Sequence, residues 1–142
     1  MQRALTSVSI MLLLVTLIYG CSGSSSSDVK KPSFTNQISK DLGMTTSQTE
    51  AGLGAMMMAS QNKLSPNDYS KLSKSIPGSN SMIDRATNLG VVPGSVGTTA
   101  DIIQVLTKLG VSPVTAAKFV PKVLSLSKTL GGGAFGLLSM VF

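Results

Sequence analysis

The chain has 142 residues, with 12 Lys plus Arg against 6 Asp plus Glu, no His, no Trp and a single Cys; 42% of its side chains are apolar and 13% charged. That length holds one modest domain, one cysteine rules out an internal disulfide, and the missing histidine removes the Ser/His, Cys/His and His-zinc sites of much hydrolytic chemistry. Charge is well below the roughly 25% of an average soluble domain, yet the apolar content is too high for a disordered chain, so a weakly charged helical domain is expected.

Along the chain, Met1-Gln2-Arg3 is followed by residues 4–18, fifteen mostly apolar residues without a charge. This is the pattern of a signal peptide, expected to occupy residues 1–20. As a helix these fifteen residues would rise about 22 Å, short of the roughly 30 Å hydrocarbon core of a bilayer. Leu17-Ile18-Tyr19-Gly20-Cys21 then resembles a bacterial lipobox, with an aliphatic residue three before a cysteine and a small residue directly before it. The resemblance implies cleavage between Gly20 and Cys21, a diacylglyceryl group on the Cys21 thiol and acylation of the new amino terminus. Two or more acyl chains hold a protein stably where one does so only marginally. Tyr19 is bulkier than the lipobox pattern favours, and the competing readings are a buried free thiol at Cys21 or ordinary signal cleavage nearby. Ser22, where an aspartate would mark inner-membrane retention, favours the outer membrane by the same resemblance.

Residues 21–33 are dominated by Ser and Gly and read as a flexible linker. Its twelve steps give a typical reach of about 19 Å. Lys30 and Lys31 are either solvated or rest on anionic lipid.

From Phe34 the apolar residues recur at helical spacing. Phe34, Ile38 and Leu42 mark a first helix stopped by Gly43. Thr45 with Gln48 has capping-box spacing and opens a second helix through Leu53, Met56, Met57 and Asn62. Ser65-Pro66-Asn67-Asp68 is a cap-then-proline start for a third, with Tyr69, Leu72 and Ile76 inward. Pro77-Gly78 precedes a fourth over residues 81–88, with Met82, Ile83, Ala86 and Leu89 inward and Gly90 as its stop. Residues 91–97 read as a loop. A fifth helix spans 99–109 on Ile102, Val105, Leu106 and Leu109. Ser112-Pro113 opens a sixth, in which Ala116, Phe119, Val120, Val123, Leu124 and Leu130 oppose a polar strip of Lys118, Lys122, Ser125 and Thr129, and Pro121 removes one ladder bond and should kink the axis. The uncharged tail, residues 134–142, is either a last core helix or a surface that meets a membrane or a partner.

Leu42-Gly43-Met44-Thr45 returns as Leu109-Gly110-Val111-Ser112, a shift of 67 residues that also carries Ile38, Leu53, Met56 and Met57 onto Val105, Val120, Val123 and Leu124. The expected fold class is therefore all-α: a small bundle of about six or seven short helices over residues 34–142, with an internal two-fold repeat whose halves fall at about 34–62 and 101–130.

Leu42-Gly43-Met44-Thr45, Ala51-Gly52-Leu53-Gly54-Ala55, Leu64-Ser65-Pro66-Asn67-Asp68-Tyr69, Leu72-Ser73-Lys74-Ser75-Ile76-Pro77-Gly78 and Phe119-Val120-Pro121 together resemble the small bacterial lipoprotein family of unknown function around VcgC and VcgE. The resemblance covers most of the chain after Cys21. It implies an envelope setting and a helical domain, and it brings no catalytic residue with it.

Candidate chemistry is sparse. Ser60-Gln61-Asn62-Lys63 and Ser125-Leu126-Ser127-Lys128 match the Ser-x-x-Lys spelling of penicillin-binding enzymes, but 22 Ser and 10 Lys give one or two such matches by chance. Met56-Met57-Met58 raises a soft-metal site, yet consecutive helical residues point about 100° apart and cannot converge on one ion, so core filling is the better reading. Asp41, Glu50, Asp68, Asp84 and Asp101 are scattered and form no pair. No catalytic site, metal or cofactor is expected. Lys108, Lys118, Lys122 and Lys128 have no acidic residue after Asp101 to face, and form either a solvated strip or a contact for an anionic surface. The expected function is a lipid-anchored outer-membrane protein facing the periplasm, held through acyl chains on Cys21. It would act as a non-enzymatic accessory to an envelope protein or anionic lipid, without nucleic acid. The alternative is a carrier or sensor of an apolar ligand or lipid in a Met-lined gap between the helix pairs.

Overall fold

In the computed structural model, residues 33–131 and 133–142 are described. The proposed signal peptide, the Gly20–Cys21 cleavage point and residues 21–32 of the linker lie outside them. The chain divides after Lys31, and Pro32–Phe142 form one compact unit. Among the described residues there are seven helices and no strand: α1 (Phe34–Leu42), α2 (Thr46–Lys63), α3 (Pro66–Ser75), α4 (Ser79–Asn88), α5 (Thr99–Lys108), α6 (Pro113–Ser127) and α7 (Ala134–Ser139).

The helix starts follow from local chemistry. Thr45 Oγ1 accepts from the Gln48 amide at 3.2 Å while Gln48 Oε1 accepts from the Thr45 amide at 3.0 Å, a reciprocal cap at the head of α2. Ser65 and Ser112 cap α3 and α6, each followed by a proline that has no amide to leave unpaired. The head of α5 is more densely bonded than its sequence announces. Asp101 Oδ2 accepts from the amides of Gly97 and Thr98 and from the Thr98 hydroxyl, at 2.8–3.0 Å. These bonds, Gly97's first, hold the Asp101 carboxyl below its ordinary range.

α2 is the organising element. Helices of small domains usually show one buried stripe, whereas every residue of α2 from Ala51 through Ser60 is buried. The amino acids explain how neighbours can close in from all sides. Gly52 and Gly54, two steps and so about 200° apart on the helix, are the points of closest approach. A Cβ at Gly52 would lie 2.6 Å from the Phe119 ring and 3.0 Å from Leu106; one at Gly54 would lie 2.0 Å from the Met82 carbonyl oxygen and 2.8 Å from Ala86 Cβ. The first contact seats α2 on α5 and α6, the second on α4. Met56, Met57 and Met58 leave the helix in three directions and are all buried. The flexible thioether side chain suits such irregular gaps.

Polar groups in this core are paired. Ser39 Oγ lies 2.9 Å from both the Thr35 carbonyl and Thr49 Oγ1, and Thr49 Oγ1 donates to the Thr45 carbonyl at 3.0 Å, tying α1 to α2. Gln48 uses its other amide atom as well: Nε2 donates to the Leu109 carbonyl at 2.9 Å, joining the α1–α2 turn to the end of α5.

Several expectations need adjusting. α4 begins at Ser79, two residues earlier than the apolar spacing places it, because Gly78 in the left-handed region makes the turn and the buried Ser79 hydroxyl donates to the Ser73 carbonyl. Leu89 is 46% exposed, since the chain leaves the helix there. α6 runs through Pro121; Pro121 and Ala117 are both exposed, so water can meet the carbonyl whose ladder bond the proline removes. The two glycine-stopped hairpins are alike locally: Gly43 and Gly110 both have positive φ, Met44 and Val111 are both buried, and Thr45 and Ser112 both cap. Their surroundings are not alike. The 67-residue shift carries buried Ala51, Gly54 and Met58 onto exposed Lys118, Pro121 and Ser125, so the recurring hairpin does not establish a two-fold arrangement of halves.

The contrast between two glycines checks this packing. Gly54→Ala must push a methyl into the Met82 backbone and is expected to cost at least about 2 kcal/mol. Gly136→Ala, in a helix and with nothing within 4 Å of the added Cβ, should gain about 0.5–1 kcal/mol. Urea melts of both variants measure this, and a Gly54→Ala protein as stable as the parent would contradict the close approach of α2 and α4.

Candidate functional site

The four lysines singled out in the sequence do not form one surface. Lys108 sits in the last turn of α5 beside a small recess lined by Leu89, Gly90, Val91 and Ser95. Lys118 and Lys122, one helical turn apart on α6, border a shallow cleft of about 450 Å³ against α1, floored by Leu42, Ala117 and Pro121. Lys128 caps the end of α6 and holds its ammonium 4.7 Å from the centre of the Phe135 ring, over a third recess of about 260 Å³.

The expectation that these lysines face no acid is corrected for one of them. No acidic residue follows Asp101 in sequence, but α1 packs along α6 and brings Asp41 Oδ2 to 2.7 Å from Lys122 Nζ. Lys118 shares the cleft with that pair. An exposed pair of this kind is worth at most about 1 kcal/mol, so its main effect is to cancel one positive charge. The Lys128–Phe135 contact is of similar size, about 0.5–1 kcal/mol at an exposed site.

The Ser-x-x-Lys matches do not assemble. Ser60 is buried and its hydroxyl donates to the Met56 carbonyl at 2.8 Å, while Lys63 Nζ reaches across to the Val141 carbonyl at 3.0 Å. Ser125 lies in the α1–α6 cleft, but Lys128 turns to Phe135. Among the described residues no three His, Cys, Asp or Glu side chains gather as a metal site. Cys21 and Gly20 lie outside the described residues.

Three polar contacts carry no local sequence signal, because their partners are far apart in the chain: Asp41 with Lys122, Lys63 with the Val141 carbonyl, and Arg85 of α4 with Glu50 and Ser47 of α2. The last pairs the only arginine of the domain with its only glutamate, across the α2–α4 contact. Among the described residues the exposed large apolar side chains are Leu89, Val92, Val114, Phe135 and Met140. No helix among the described residues is long and apolar enough to cross a membrane.

Residues 22–139 match the model of a family described as a protein of unknown function, VcgC/VcgE. No curated protein and no solved structure matches the chain.

Removing the cleft's acid should separate charge from stability. Asp41→Asn leaves Lys122 unpaired; it is expected to change the unfolding free energy from urea melts by no more than about 1 kcal/mol while requiring more salt to release the protein from a cation exchanger. Unchanged elution would show that the pair does not govern the charge of this face.

Proposed function

The chain belongs to the VcgC/VcgE family, and from that premise we propose that it is a lipid-anchored protein of the bacterial envelope whose helical domain acts as a non-enzymatic binding or structural accessory. One observation carries the reading: the sole cysteine stands at the end of Leu17-Ile18-Tyr19-Gly20-Cys21, after an uncharged run and before a Ser/Gly linker. In this reading the Cys21 thiol loses its proton and displaces the phosphate headgroup of a membrane phospholipid to gain a diacylglyceryl group through a thioether bond, water hydrolyses the peptide bond after Gly20, and the freed amine takes an acyl chain from a second phospholipid, which leaves as the lysophospholipid. Ser22 favours the outer membrane, with the domain on the periplasmic side.

The accessory role is supported by what the side chains of the domain are occupied with. Both Ser-x-x-Lys lysines have other partners, and Met56, Met57 and Met58 fill the core. The accessible surface includes lysines in shallow recesses, a polar recess at Ser81, Asp84 and Asn88, and a few exposed apolar residues. Such a surface suits contact with an envelope protein or with anionic lipid better than it suits bond-breaking.

The intact mass of protein extracted from membranes tests the anchor. The expected species begins at Cys21 and carries the added mass of its acyl chains, and Cys21→Ser should move the protein out of the membrane fraction. A bare thiol or a retained leader would overturn the reading.

A further inference from the structure

Among the described residues, α7 is the shortest helix and the only one without a charged residue. Ala134, Leu138 and Val141 point into the core, whereas Phe135, Gly136, Ser139 and Met140 are exposed. At 100° per residue these four fall within an arc of about 140°. The outer side of α7 is therefore a single face, with Phe135 (38% exposed) at one margin and Met140 (75% exposed) at the other. A Cβ added at Gly136 between them would meet no atom within 4 Å, so the face is open.

Two ammonium groups flank it. Lys128 stands over the Phe135 ring, and Lys63 donates to the Val141 carbonyl just past the helix. Of the four lysines after Asp101, Lys128 is the one beside this face; Lys108, Lys118 and Lys122 lie in other recesses. An aromatic ring and a thioether between ammonium groups is the chemistry of a bilayer interface, where apolar side chains enter the acyl boundary and cations meet phosphate.

We propose that this face of α7, with Lys63 and Lys128, is where the domain rests on an anionic lipid surface. The choice of a membrane over a protein partner comes from charge complementarity and from the linker. The inference rests on the lipid anchoring proposed above: with Cys21 acylated, twelve linker steps give the domain a typical distance of about 19 Å from its anchor. At the effective concentration this imposes, a contact too small to hold a free protein suffices to orient a tethered one.

The chain contains no Trp and only one Cys, which permits a direct test. Residues 21–142 retain the whole compact unit, and coupling Cys21 to vesicles through a maleimide-bearing lipid imitates the anchor whether or not cells acylate it. With F135W on vesicles containing phosphatidylglycerol, indole emission should shift to the blue and be quenched by brominated acyl chains. V114W, at the start of α6 and 68% exposed as Val114, should remain accessible to an aqueous quencher. M140W gives the same readout should F135W fail to fold by circular dichroism. Adding Lys63→Ala and Lys128→Ala to F135W should remove most of the acyl-chain quenching, and so should vesicles of phosphatidylcholine alone. Quenching of F135W and M140W no greater than that of V114W, or equal on the two vesicle types, overturns the proposal. Because the coupling is chemical, that failure is separate from a failure of lipidation, which the intact mass of the native protein decides.

Discussion

The domain depends on a backbone-to-backbone approach: α2 lies against α4 at Gly54 with no room for a methyl group between that residue and the Met82 carbonyl. Once the central helix is enclosed this tightly, the other features follow. Small residues at 51, 52, 54, 55 and 59 let neighbours close in, and three consecutive methionines fill gaps in three directions. The polar atoms trapped nearby are bonded locally, Ser60 to the Met56 carbonyl and Thr49 to both Ser39 and the Thr45 carbonyl. A domain of this size has little core to spare, and placing one helix wholly inside draws most of the apolar side chains into a single cluster.

Much of the fold was legible because it is written in short-range chemistry. The proline after Ser65 and after Ser112, the Thr45–Gln48 reciprocal cap and the glycine stops at 43 and 110 each act within four or five residues, and each lies where its spacing places it. The apolar faces of α1, α3 and α5 were legible for the same reason, since one buried stripe leaves a period. α2 leaves none. A helix buried on every side has no polar face to contrast with, so periodicity identified Leu53, Met56 and Met57, while the burial of Ala51, Gly54 and Met58 was legible only from composition, in the run of methionines and the small residues beside it. The likeness between the two hairpins was read from the positions that match; the positions that differ, exposed in α6 and buried in α2, show how far the likeness goes.

The electrostatic surface was the least legible part. Counting charges along the chain leaves the second half with four unopposed lysines, and folding redistributes them: Lys122 meets Asp41 from the first helix, Lys128 turns to an aromatic ring, and Lys118 and Lys108 stay in separate recesses. Sequence distance is the reason, since a helix of the first half supplies the missing acid. The lipid-anchored reading depends on residues before the helical domain, so domain and anchor are independent parts of the account. The domain offers shallow, weakly charged surfaces, and a tether would make such surfaces sufficient by keeping them close to whatever they touch.

Amide hydrogen exchange, followed residue by residue, reaches the enclosed helix most directly. If α2 is surrounded as described, the amides from Met56 through Ser60, away from the frayed first turn, should exchange only through global unfolding and be the slowest in the chain, with those of α3 and α7 opening at lower cost. Exchange in the middle of α2 as fast as in α7 would mean that the helix is not enclosed, and the packing built around Gly54 would not stand.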